Sequence, residues 1–276
     1  MRKILLLLVT FIAVMPLAAS IVNGELSMVI VVPSYKNANW YQKNLDSICY
    51  QNYSNYHIIY TDDCSPDGTG DLVEAYIKER GLENRVTLIK NSVRRKAFAN
   101  LYTMFYMCND DDIVVTVDGD DWLANNDVLK YLNEVYWSGK VWMTYGQFAE
   151  YTGEDKKLSK GFNRLIPAKV LASEDGLRHQ VNAFSHLRTF YAGLFKRLAM
   201  EDLMYEGEFL PMTWDLAMMI PMTEMARSHC LFIPEVLYIY NNANDINDHK
   251  VNRGLQHDLD VMIRAKKPYK KLLRLF

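Results

Sequence analysis

Met28-Val29-Ile30-Val31-Val32-Pro33 is an unbroken apolar run, β-branched from Val29 to Val32 and closed by proline. A run of strand length with no polar face predicts a strand buried on both sides, as in a parallel sheet. Outward from it, Trp40 to Cys49 suits a helix, with Leu45 and Ile48 sharing a face. His57 to Thr61 predicts a second strand, stopped by the turn formers Asp62-Asp63-Cys64-Ser65-Pro66-Asp67-Gly68. Asp71 to Glu79 predicts a helix, Val86 to Ile89 a strand, Ala97 to Met107 a helix, and Ile113 to Val117 a fourth strand. This alternation argues for right-handed β-α-β units in an α/β fold: a doubly wound, mostly parallel, Rossmann-like sheet with helices on both faces.

Ligands of such sheets sit beyond the carboxyl ends of the strands. The polar clusters Pro33-Ser34-Tyr35, Asp62-Asp63, Asn91 to Lys96 and Asp118 to Asp121 all fall there. After residue 122 the rhythm is irregular. Leu123 to Val135 reads as helix, Val141 to Tyr145 as strand and Glu150 to Lys160 as a polar loop. Thr213 to Arg227 is the clearest later helix, with Thr213 as N-cap, an apolar face from Leu216, Met219, Ile220 and Met222, and Pro221 expected to kink or interrupt it.

The 276 residues are 50% apolar and 23% charged with a formal net charge of −2, so nucleic acid is not an expected partner. Four dispersed cysteines form no CxxC pair and indicate neither a zinc site nor a disulfide framework. The basic cluster Lys266-Lys267-Pro268-Tyr269-Lys270-Lys271 reads first as a solvated tail, and as a contact for anionic lipid or acceptor only second. Arg2-Lys3, the apolar run Ile4 to Ala19 and the small residues Ala18-Ala19-Ser20 read as a secretory signal or short anchor over residues 1–23. That predicts a lumenal or exported protein, with membrane association through the N-terminus. Residues 24–276 then form one domain, with residues 28–123 and 124–276 as its halves.

Asp118, Asp120 and Asp121 place three carboxylates in four residues, a density that a divalent cation would compensate. Mg²⁺ or Mn²⁺ suits such hard ligands and completes its shell with phosphate oxygens and water. Gly119 is read as the spacer that lets the carboxylates face one point. The bland alternative is an acidic loop capping the next helix. Asp62-Asp63 can accept from the imide N–H of a uracil base beside Tyr35, or can form an Asx-turn alone. Arg94-Arg95-Lys96 can meet a base or diphosphate, or be a solvated basic loop. Asp215, at a helix start, can serve as general base for an acceptor hydroxyl or merely stabilise the helix; Glu224 lies nine residues on, past Pro221. His249 is a candidate metal or phosphate ligand, against the commoner reading of a surface histidine.

Together the quoted residues resemble the family 2 glycosyltransferases of the GT-A fold. The matching series is Val31-Val32-Pro33-Ser34-Tyr35, Ser47 to Tyr53, Tyr60 to Thr69, Asn91 to Asn100 and Val117 to Leu123. The resemblance implies a transferase, commonly inverting, that binds a nucleoside-diphosphate sugar through its first half and a carbohydrate, lipid or protein hydroxyl acceptor through its second. Carried onto this sequence, it implies Pro33, Ser34, Tyr35, Asp62 and Asp63 around the nucleoside and Arg95 or Lys96 on the nucleotide. Asp118 falls on the ribose or metal side, Asp120 on the metal, with His249 in a region where some relatives place a histidine. The catalytic carboxylate falls at Asp215, where Trp214-Asp215 replaces the usual acidic pair. Two alternatives stay open: a sugar nucleotidyltransferase, for which Pro33 to Asn37 lacks the Gly-rich phosphate loop, and a non-catalytic, metal-dependent carbohydrate-binding protein. Serine hydrolases and dinucleotide redox enzymes are excluded, because the chain holds neither G-x-S-x-G nor G-x-G-x-x-G.

Overall fold

The computed structural model describes residues 24–153, 158–179, 184–244 and 253–276. The predicted alternation is present as β1 (Met28–Ser34), α1 (Tyr41–Cys49), β2 (Tyr56–Asp62), α2 (Thr69–Glu79), β3 (Val86–Lys90), α3 (Ala97–Met107) and β4 (Ile113–Thr116). Every residue of β1 is buried, because β2 and β4 flank it in parallel and helices cover both faces. Its side chains divide by parity. Met28, Ile30 and Val32 pack with Leu45 and Ile48 of α1 and Val73 and Ile77 of α2, while Val29 and Val31 pack with Phe98, Leu101 and Phe105 of α3. That division gives the doubly wound arrangement.

Onward come β5 (Trp122–Leu123), α4 (Val128–Tyr136), β6 (Met143–Tyr151), β7 (Leu158–Lys160), α5 (Ala168–Ala172), β8 (Arg188–Tyr191) and α6 (Ala192–Phe195). The hairpin strands β9 (Met204–Tyr205) and β10 (Glu208–Phe209), α7 (Trp214–Ala226), β11 (Cys230–Asn241) and α8 (Arg253–Ala265) complete the described chain. The sheet order is β3-β2-β1-β4-β8-β6-β11-β5, with β7 beside β6. β8 runs antiparallel to both β4 and β6, and β5 antiparallel to β11; β6 and β11 are parallel. One sheet therefore carries the strand ends of both halves.

Several local expectations change. Leu123 belongs to β5, paired with Tyr238, and α4 begins only at Val128. The expected loop from Glu150 to Lys160 is partly sheet, since β6 reaches Tyr151 and β7 pairs with it. Thr213 makes no capping bond, sits at φ +58° and leaves its buried hydroxyl without a hydrogen-bond partner. Pro221 does not interrupt α7, which is buried along its length except at Asp215 rather than on one apolar face.

The C-terminal half is locked by a buried pair. Arg178 donates from Nε and Nη2 to Glu224 at 2.6 and 2.7 Å, and from Nη1 to the Ile263 carbonyl at 2.6 Å. Tyr269 N–H donates to the same Glu224 carboxylate, so α7, α8 and the final segment meet on one buried ion pair. No helix among the described residues is long and apolar enough to cross a membrane. The leader expected over residues 1–23 lies outside them.

Candidate active site

A cavity of about 580 Å³ opens at the carboxyl ends of the strands and draws its walls from both halves of the chain. Of the residues singled out in the sequence, Pro33, Ser34, Tyr35, Asp63 and Lys96 line it, together with Asp118, Asp120 and Asp215. Asp62, Arg95 and Gly119 do not line it.

Alternation at the end of β2 explains the two aspartates. Asp62 turns toward α2, where it accepts from Ser65 N–H at 3.2 Å and lies against Gly70, whose missing Cβ would sit 2.9 Å from the carboxylate. Asp63 turns into the cavity wall. Its Oδ1 accepts from Asn91 Nδ2 and Arg95 N–H, and its Oδ2 from Lys96 N–H, at 2.7 to 2.9 Å. Burial alone would raise its pKa, but donors from Asn100, Arg95, Asn91 and Lys96 outweigh burial and hold the carboxyl below the ordinary value. Asp63 thus shapes the 91–96 loop. The Arg95 contribution is its backbone, and the cations that this loop brings to the cavity are Lys96 and Arg94, whose guanidinium lies 3.9 Å from the Tyr35 ring centroid.

Gly119 has an ordinary φ, so no turn demands it. A Cβ there would lie 2.6 Å from Asn37 Nδ2 and 2.7 Å from Ser34, which makes its role close packing of the acidic turn against β1. Behind that turn, Asp121 is buried and accepts from Tyr238 O–H and Asn241 N–H, both at 2.6 Å. It ties the acidic turn to β11. Asp120 accepts from Asn244 Nδ2 at 2.7 Å and faces the cavity.

Two of the cavity's carboxylates converge on Arg188, buried in β8, which sequence reasoning missed. Its Nη2 lies 3.7 Å from Asp118 Oδ2, and its Nη1 lies 3.6 Å from Asp215 Oδ2. One guanidinium thus bridges a strand-end carboxylate and the carboxylate at the start of α7. Trp214 lies under the guanidinium at 4.9 Å and stacks on Phe98, so the residue standing in for the second acid is a platform. Burial pushes both carboxyls up; Arg188 opposes this in each, and for Asp118 the neighbouring Asp120 and Asp215 add to the rise, to about 6.

His249 lies outside the described residues. The histidine that the structure brings to the acidic turn is His186, with Nδ1 4.0 Å from Asp118 Oδ2. Arg188 Nη2 is 3.2 Å from that nitrogen and can only donate, so Nδ1 is the unprotonated atom. Burial, with Arg188, holds the imidazole well below its usual pKa and keeps it neutral. Asp118, Asp121 and His186 each bring a ligand atom within 4.8 Å of the others. Carboxylates plus a neutral imidazole fit a divalent cation, which would offset the cost of holding Asp118 ionised in a buried place beside Asp120 and Asp215.

The profile of Glycosyl transferase family 2 matches residues 29–198. No curated protein matches the chain in sequence. Among solved structures, S. aureus TarS 1–349 in complex with UDP-GlcNAc aligns with a TM-score of 0.58 at 16% identity, covering 82% of this chain and 60% of that one. A second S. aureus TarS structure aligns at 0.57 and 17%, over 78% and 37%. The mannosyltransferase PcManGT from Pyrobaculum calidifontis, in complex with GDP-Man and Mn²⁺, aligns at 0.54 and 20%, over 83% and 59%. At these identities the likeness is one of fold, the GT-A type, and the chain spans 37 to 60% of those proteins.

Proposed function

This chain belongs to Glycosyl transferase family 2, and we propose that it moves a sugar from a nucleoside-diphosphate donor, a UDP-sugar, to an acceptor hydroxyl by single inverting displacement. The observation that carries the reading is the Arg188 bridge, which sets Asp215 and Asp118 in one cavity with the strand-end nucleotide cluster.

In this reading Tyr35 and Arg94 wall the base and Asp63 fixes the loop beneath it. A divalent cation, Mn²⁺ or Mg²⁺, would be held by Asp118 and Asp120 with His186 and Asp121 as further donors, and would supply charge compensation for the departing diphosphate. Asp215 accepts the proton of the acceptor hydroxyl as that oxygen attacks the anomeric carbon. Arg188 orients the Asp215 carboxylate and, as the nearby cation, favours its ionised form. No covalent sugar intermediate forms. The N-terminal run and a lumenal or exported location belong to the same proposal, since the donor must reach the site wherever the chain resides.

Calorimetric titration of the purified chain with UDP, with and without Mn²⁺, tests this beside Asp120→Ala. Binding that needs the metal and is lost in the variant is the expected result. Silence toward both UDP and GDP with metal present would sink it.

A further inference from the structure

The acceptor class can be read from the far side of the cavity. The sheet order places β3, β2 and β1, with Asp63, Tyr35 and the 91–96 loop, on one side of β4 and its Asp118. On the other side lie β8, β6 and β11, and from Asp118 outward the wall there is aromatic. His186 stacks on Tyr240 at 5.4 Å between ring centroids and 18° between planes, and meets Phe148 edge-on at 6.0 Å. Phe148 in turn meets Phe162 edge-on at 5.3 Å. Phe148 is buried, whereas Phe162 is 56% exposed while lining the cavity. Gly161 makes this placement possible. Its N–H donates to the Phe148 carbonyl at 2.8 Å, and a Cβ there would lie 2.6 Å from the Phe148 ring.

Glu150, two residues along β6 from Phe148 and so on the same face of the strand, also lines the cavity and offers a carboxylate acceptor. Among the described residues lining the cavity there is no leucine, isoleucine, valine or methionine, so an alkyl chain finds little aliphatic wall beyond Pro33, Ala97 and Pro211. The cations Arg94 and Lys96 lie on the nucleotide side, and Arg188 already faces two carboxylates. With Glu150 and Asp215 on the acceptor side, an anionic acceptor would meet like charge.

Resting on the glycosyl-transfer reading, we propose that the acceptor is a neutral pyranose, seated with its C–H face on Phe162 and its hydroxyls toward Glu150. The C–H bonds of a sugar face carry partial positive charge and match the negative face of an aromatic ring, while the equatorial hydroxyls need acceptors at the rim. Exposed Phe162 is the specificity-determining contact.

Saturation-transfer NMR on the full chain tests this, with and without UDP and Mn²⁺. The probes are methyl glucoside, methyl galactoside and methyl mannoside, set against ribitol 5-phosphate and dihexanoylglycerol. Ring protons of at least one pyranoside should receive saturation that drops about fivefold in Phe162→Ala and returns in Phe162→Tyr, with UDP affinity equal in all three proteins. Preference for ribitol 5-phosphate or dihexanoylglycerol, no saturation on any pyranoside, or pyranoside saturation indifferent to Phe162→Ala would overturn the proposal. Phe162-dependent saturation in a protein that ignores every nucleotide would keep the sugar site and remove the transferase reading, so the two failures are separable.

Discussion

The carboxylates on the two sides of Asp118 are held in different ways. Asp63 takes two backbone N–H groups and one amide from a single loop within about thirty residues along the chain, all at hydrogen-bond length. Asp215 instead faces Arg188 at 3.6 Å, a charge contact between α7 and β8 with no hydrogen bond joining the two side chains. The Asp63 side, proposed to take the nucleotide, is thus preformed by backbone. The reacting side is set by tertiary packing around one guanidinium, and its geometry depends on how firmly α7 is seated. A backbone-held loop beside a centre assembled from distant elements suits the proposed order, in which a donor binds first and a second substrate is then positioned.

Breaking the reacting side should have the largest effect. Asp215→Asn keeps shape and removes the base, so kcat should fall by about 10² to 10⁴-fold while UDP affinity stays unchanged. An equal loss of UDP affinity would move Asp215 to the nucleotide side and dissolve the contrast. Next comes the lock under α7. Glu224→Gln strands the Arg178 guanidinium in the core and should cost about 3 to 5 kcal/mol in urea unfolding. Asp63→Ala should cost less, about 1 to 3 kcal/mol, because the freed N–H groups of the 91–96 loop can reach water; its signature is weaker UDP binding seen by calorimetry.

The same contrast explains what was legible in the sequence. β1 to β4 are rich in β-branched residues and end at polar clusters, so their order, their parallel pairing and the place of the cavity at the strand ends followed from local pattern. What failed depended on distant partners. Trp122-Leu123 becomes strand only because β11 returns beside it, and Glu150-Tyr151 only because β7 and β11 do. Asp62 and Asp63 looked equivalent as a pair, yet strand alternation sends them to opposite faces. Arg188 and His186 carried one signal that was passed over: two basic residues bracketing Leu187 ahead of Thr189-Phe190-Tyr191, where a buried strand would tolerate them only with partners.

The smallest expected effect tests the bridge itself. Burial raises the pKa of Asp215, and Arg188 is the chief group pulling it back down. A base works ionised, so activity is lost as pH falls through that pKa. Removing the cation in Arg188→Met disfavours the ionised form, raises the pKa further and moves the acid limb of the kcat profile to higher pH. Profiles recorded at saturating Mn²⁺ keep Asp118 in its charged form, which leaves the limb to Asp215. Arg188→Lys keeps a cation without the planar fork, so it should hold the limb near its original position while lowering kcat through poorer orientation. A limb that stays fixed in Arg188→Met would show that the guanidinium only packs on Trp214, and the reacting side would then owe its charge balance to the metal site alone.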